Sequence, residues 1–266
     1  MLGLGASLSL SAVEEPYKEL SELNNYSDLD IHFDFSILPD AHGTEIAAAT
    51  NLGQTGATNA IDSNAGTPLL DRSTMSLPSM AFDGSDEVLN MTAAYTTTGK
   101  AFTFFIVMQR GDVTNDYTVA SATAGGSPSV PDDYIRFMTS GTVVHLALQN
   151  QTVVGITTNN TNPSSSTINY TAVEDVNMVY VINRNATGEV AIYSDNGLYI
   201  AFKDNGPMKA GATLEIGHIG GTEAGDLADL TGNIGEVGLY DADIGAANSI
   251  ILAEELSKKW GITRTS

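Results

Sequence analysis

Residues Thr231–Ile262, TGNIGEVGLYDADIGAANSIILAEELSKKWGI, constrain the fold of this chain more than any other stretch. Ile234–Tyr240 alternates apolar with small or polar residues, the pattern of a half-buried strand. Asp241-Ala242-Asp243 reads as a turn that offers a side chain to the N-terminus of a helix. Ile244, Ala247, Ile251, Leu252, Leu256 and Trp260 follow at roughly helical spacing. Lys258 and Lys259 fall in the last turn, where cations suit the helix dipole, and Gly261 ends the helix. A strand closed by one helix is therefore expected at this point.

The rest of the chain reads as strand after short strand. Asp28–Ser36 places Leu29, Ile31, Phe33 and Phe35 on one face. Ser79–Met91 contains a tight Asp83-Gly84 turn, with Met80 and Phe82 facing one way and Val88 or Leu89 resuming the core. Phe102–Met108 is a nearly continuous apolar run, expected to be a central strand buried on both faces. Further strands are expected at Tyr117–Ser121, Tyr134–Met138, Val143–Leu148, Thr152–Thr157, Val176–Asn183, Glu189–Ser194, Leu198–Phe202 and Thr213–Ile216. Gly- and Asn-rich turns separate them, and Asp195-Asn196-Gly197 gives the best hairpin. Ile37–Leu77 is Gly/Ala/Thr/Asn-rich and reads as a long connection of the kind that carries binding or interface loops. This pattern indicates a sandwich rather than βαβ units.

The spacing Gly232, Ile234, Glu236, Val237, Tyr240, followed by Lys259, Trp260 and Gly261, resembles the C-terminal signature of laminin-G-like, concanavalin A-like jelly-roll domains. The run Phe82-Asp83-Gly84-Ser85-Asp86 with Leu89 resembles a second landmark of the same family. The fold expected is all-β: a jelly-roll β-sandwich over residues 28–266 with one short C-terminal helix, preceded by an extended arm at residues 1–27. Phe33, Phe35, Phe82, Phe104, Ile106, Val179, Val181, Ile216, Ile234, Val237 and Leu239 are expected inside. The helix is expected outside the sandwich, over a sheet edge or end.

Charge narrows the partners. The 266 residues hold 32 acidic and 11 basic side chains, a net charge of −21. Such a chain repels nucleic acid and anionic membrane surfaces, so neither is expected as a partner. No cysteine is present, which removes disulfides and thiolate metal sites. Met1–Leu10 is apolar but lacks a basic flank and an A-x-A site, so it is not read as a signal peptide. No apolar run approaches a membrane span.

The resemblance raises glycan hydrolysis and glycan binding. Retaining hydrolases on this fold carry two carboxylates facing the sugar from one strand; no such motif occurs. Glu174-Asp175, Asp132-Asp133 and Glu254-Glu255 are adjacent pairs whose members point apart on a strand. His32, His42, His145 and His218 are scattered, and no G-x-S-x-G elbow is present. No enzyme activity and no organic cofactor are expected. Calcium is the metal candidate, because hard cations take loop carboxylates. Asp83, Asp86, Asp112 and Asp116 are the candidate ligands, with Asn115 beside Asp116 and the separate pair Asp226 and Asp229 as further contributors. Trp260, in the closing helix, is expected to pack onto the sheet rather than stack on a sugar. Tyr95, Tyr117, Tyr134, Tyr170 and Tyr199 are the alternatives.

Laminin-G-like sequences of this acidic, Thr/Asn/Gly-rich, cysteine-free kind, preceded by an MLGLG-type arm, are also similar to virion proteins of tailed bacteriophages. The resemblance implies a structural protein of the particle, made in the host cytoplasm, as a capsid decoration or a neck or tail appendage. Leu2, Leu4, Leu8 and Leu10 fall on one side of an extended arm and are the candidate contacts to other virion proteins or to copies of this chain. A free carbohydrate-binding module is the alternative.

Overall fold

The computed structural model describes residues 20, 29–53, 60–62, 66–85, 87–112, 117–122, 134–137, 143–148, 151–157, 174–194, 197–203, 213–221 and 229–262. The arm residues Leu2, Leu4, Leu8 and Leu10, and the acids Asp86 and Asp116, lie outside them.

Two antiparallel eight-stranded sheets face each other. The first runs β14 (Gly197–Lys203), β13 (Glu189–Ser194), β12 (Asn177–Arg184), β7 (Phe102–Arg110), β16 (Thr231–Tyr240), β5 (Ser79–Asp83) and β4 (Leu69–Asp71). β1 (Leu29–Asp34) also pairs with β16, alongside its second half. The second runs β11 (Gln151–Thr157), β10 (Val143–Leu148), β9 (Tyr134–Phe137), β8 (Tyr117–Ser121), β15 (Glu215–Ile219), β6 (Leu89–Thr96), β3 (Ala60–Asp62) and β2 (Ala48–Ala49). The all-β sandwich with one C-terminal helix, α1 (Gly245–Lys259), is the architecture expected from the sequence.

β7 lies between β12 and β16, and all nine of its residues are buried. Phe102, Phe104, Ile106 and Met108 enter the core between the sheets, with Phe33, Phe82, Ile216, Ile234, Val237 and Leu239. Phe105 and Val107 enter a second core on the outer face of the first sheet. There α1 lays Leu252, Ala253, Leu256 and Trp260 over Val179, Val181, Tyr193 and Tyr240. Two expectations are corrected. The helix covers a sheet face, not an edge or end. Val179 and Val181 face the helix, while Tyr180 and Ile182 of the same strand face the interior.

Register explains other departures. A shift between Leu29 and Ile31 sends Leu29 to the helix side, whereas Ile31 and Phe33 stay inside. Phe35 is buried as expected, but in a 3-10 turn (Phe35–Ile37) rather than in the strand. The expected strand Thr213–Ile216 lies further on, at Glu215–Ile219.

A bulge in β16 between Ile234 and Glu236 keeps Ile234 and Val237 on the same face although they are three apart. The extra residue is Gly235. A Cβ there would stand 2.4 Å from the Trp260 ring. Gly235→Ala should therefore destabilise by about 1–3 kcal/mol, the usual effect of overpacking. Chemical denaturation checks this, and a change under about 0.5 kcal/mol would mean the indole moves aside at little cost.

The helix ends as its sequence indicates. Gly261 has φ +61, its N–H donates to Lys258 O at 3.3 Å, and the Ile262 N–H donates to Ser257 O at 2.8 Å, a Schellman close. At the other end Asp243 Oδ1 accepts from the Gly245 N–H at 2.8 Å and from Asn183 Nδ2 at 2.7 Å, which fixes the helix start to β12.

Candidate functional site

Among the described residues, the densest cluster of ionisable groups lies between the first sheet and the last turn of α1. β1 supplies His32 and Asp34; β16 supplies Glu236, which stands directly opposite Asp34. The helix end supplies Lys259 and Trp260. Glu236 is fully buried. Its Oε1 is 2.8 Å from His32 Nε2. Its Oε2 accepts from Lys259 Nζ at 2.7 Å and from Trp260 Nε1 at 2.9 Å. Lys259 Nζ also donates to Asp34 Oδ2 at 2.6 Å. Asp34 Oδ1 accepts from the N–H and the hydroxyl of Ser36.

Burial pushes the Glu236 carboxyl up, but the His32 hydrogen bond and the Lys259 charge outweigh it and hold it below the ordinary range. Burial likewise pushes Lys259 down, and the Glu236 and Asp34 charges more than reverse this. The signature residues Glu236, Lys259 and Trp260 are thus one contact: a helix end latched to the sheet by a buried carboxylate.

His32, Asp34 and Glu236 are, among the described residues, the one group of three potential ligands, with ligand atoms within 4.8 Å of one another. The Lys259 ammonium bonds both carboxylates, so the group's cation is part of the chain. Asp34 and Glu236 are also a same-face carboxylate pair, which no single-strand motif reveals because it forms across two strands. Glycosidases use such pairs, but only with a sugar between the carboxyls. Here the pair holds an ammonium and lies under a helix. The signal in the sequence was a charged residue, Glu236, inside an otherwise apolar strand.

The opposite end of β16 carries the expected calcium candidates. Asp83 ends β5 opposite Thr231, and Asp112 follows β7, whose Arg110 pairs with Gly232. The two acids therefore flank the start of β16. Asp83 is turned onto its own loop, accepting from the N–H of Ser85 at 2.9 Å. Glu87 Oε2 accepts from the Asp83 N–H at 2.9 Å. The guanidinium of Arg110 lies 5.2 Å from the Tyr117 ring centroid. Tyr117 is buried, so it is no sugar platform; Tyr95 is half-buried and donates to Asp241 at 3.1 Å. Tyr170 lies outside the described residues, as do the side chains of Tyr134 and Tyr199.

Glu87 and Asp83 titrate as a unit. Burial and the hydrogen bond with Asp83 push Glu87 up to about 7, and the same hydrogen bond holds Asp83 below its ordinary value. The sign follows: the folded state keeps a proton on Glu87 that the unfolded chain releases near 4.5, so stability falls as pH rises from about 4.5 to about 7. Glu87→Gln should flatten this slope and make the protein relatively more stable above pH 7. Urea melts at a series of pH values test it, and an unchanged slope between pH 5 and 7.5 in the variant would assign the effect elsewhere.

His218 is buried in β15. Its Nδ1 is 3.1 Å from Ala122 O and 3.3 Å from Ser121 Oγ, and Ser121 donates to Gly221 O at 2.9 Å. A carbonyl only accepts, so Nδ1 carries the hydrogen and takes no proton from Ser121. The pair is structural, the ordinary role expected from sequence.

No protein-family model and no curated protein sequence matches this chain. Solved structures do. A mutant of Trypanosoma rangeli sialidase displaying trans-sialidase activity superposes with TM-score 0.56 at 11% identity, over 90% of this chain and 34% of that one. The ligand-binding domain of botulinum neurotoxin serotype D in complex with N-acetylneuraminic acid gives TM-score 0.56 at 11% identity, over 88% of this chain and 52% of that one. Trypanosoma rangeli sialidase in complex with sialic acid gives 0.54 at 10%, over 90% and 34%. At this identity the likeness is one of fold: a β-sandwich shared with carbohydrate-binding domains. The chain spans about a third of the sialidases and half of the toxin domain.

Proposed function

We propose that this chain is a non-enzymatic structural and binding module of a tailed-bacteriophage virion, a solvent-facing jelly roll joined to the particle by its N-terminal arm. The observation that carries the non-enzymatic part is the latch: its carboxylate side chains are covered, bridged by Lys259 and engaged in holding α1. The particle role rests on the resemblance of the arm and the acidic sandwich to virion proteins. Leu20 is buried in the core under α1, so the chain is already seated on its own domain at that position. The anchor is then the segment before it, with Leu2, Leu4, Leu8 and Leu10. Deleting residues 1–11 should leave the fold intact and abolish incorporation into particles; normal occupancy by the truncated protein would refute the anchor.

A second reading is a free carbohydrate-binding module. It is favoured by the likeness to a toxin domain whose structure holds N-acetylneuraminic acid. Binding on a glycan array by the protein lacking residues 1–11 would support this reading and would also fit a virion protein that contacts host glycans. Calcium at the Asp83–Asp112 rim belongs to the same question, and a shift in melting temperature on adding calcium, removed by chelator, tests it.

A further inference from the structure

Residues 137–173 contain no Asp, Glu, Lys or Arg. At 16% charged residues, a stretch of that length would carry about six. All the charge of a −21 chain therefore lies elsewhere, and the charge-free stretch contains β10 and β11. β11 ends the second sheet, and among the described residues it pairs with β10 alone.

The other margins are treated differently. β4 is flanked by residues 43–45, with Gly43 N–H donating to Leu70 O, Leu70 N–H to Thr44 O, and a bridge from Glu45 to Leu69. β2 has only two residues. The free side of β1 is met by Asn51, whose Oδ1 accepts from the His32 N–H, and by Leu52, whose N–H donates to His32 O. β14 ends in Lys203 and lies between Asp195 and Asp204 in sequence. Short strands, covering segments and charges are the ways sheets avoid edge pairing. Among the described residues β11 has one such device, a bulge at Val153, between the pairs Leu146–Val154 and Ala147–Thr152. Beyond it, Val154–Thr157 runs in regular register with β10, rich in β-branched residues and free of proline.

We propose that the β11 edge is a self-association surface, where a second copy of this chain adds its own β11 antiparallel across a two-fold axis. The occupant follows from charge. A cationic partner would seek the acidic faces. Another copy, itself at −21, can approach closely only where neither surface carries charge. A two-fold pairing sets the same charge-free edge on both sides.

Sedimentation velocity on the full chain over a range of concentrations tests this. A reversible dimer is expected. Gln151→Glu with Thr157→Glu should raise its dissociation constant at least about tenfold, since like charges facing each other across paired strands are unfavourable. Gln151→Lys with Thr157→Lys should do the same, and mixing the two variants should restore a hetero-pair whatever the register. Circular dichroism melts check that each variant folds. A wild-type chain that stays monomeric, a dimer that neither variant weakens, or a dimer lost on deleting residues 1–11 would overturn the proposal.

Discussion

Trp260→Ala should lower the unfolding free energy by about 3–5 kcal/mol, the usual loss for a large buried aromatic. The side chain is fully buried. One part of the loss is packing: the indole lies against Gly235 and joins Leu252, Leu256, Phe105 and Tyr240 in the core under the helix. A second part is polar. Without Nε1–H, Glu236 loses one of the three donors that make its burial tolerable. Trp260→Phe brings out the polar part, because it keeps a buried aromatic ring while removing the donor together with part of the indole's volume. It should cost about 1–3 kcal/mol. Equal losses in both variants would make the hydrogen bond, not the packing, the principal contribution. A loss under about 1 kcal/mol for alanine in denaturant melts would show that the helix is held without its tryptophan.

What the sequence reveals about this fold depends on how local the cause is. Strand existence is local: Tyr117–Ser121, Val143–Leu148 and Glu189–Ser194 are strands over the very residues their alternation indicates. The strand-to-helix close is local too, including the role of Gly261. Facing is less so. β12 presents Val179, Tyr180, Val181 and Ile182 in an unbroken apolar run, and periodicity cannot say which two meet the helix. The β16 bulge is invisible to a period-2 template, because it resets the face in mid-strand.

The latch was the least legible feature. His32 and Asp34 alternate with Ile31 and Phe33, the pattern of a strand with one wet side. They are enclosed because a helix more than 200 positions later lands on that side, and the Glu236–His32 contact spans 204 positions. No local rule reports such a pairing. The rim acids are the reverse case: Asp83 stands out from its loop in the sequence, and in the structure its carboxylate is engaged by Ser85 and Glu87.

Lys259→Met should destabilise by about 3–5 kcal/mol at neutral pH, more than a change of similar volume at an exposed lysine. The methionine fills much the same space, so the loss is electrostatic: Asp34 and Glu236 remain buried, opposite each other, with no cation between them. The pH dependence identifies this cause. In the wild type Glu236 titrates below its ordinary value, so its contribution is present above about 4.5 and is lost as pH falls through the lower, folded value. In the variant the same carboxyl loses the Lys259 charge and hydrogen bond while burial and the His32 hydrogen bond remain, so its pKa rises from the wild-type value. Acidification therefore harms the variant less than the wild type. The stability gap between the two proteins should be widest near pH 7 and should shrink by at least half near pH 4. A gap of the same size at both pH values in guanidinium melts would show that Lys259 acts through its packed methylenes, and that the buried carboxylates are supported by His32 and Trp260 alone.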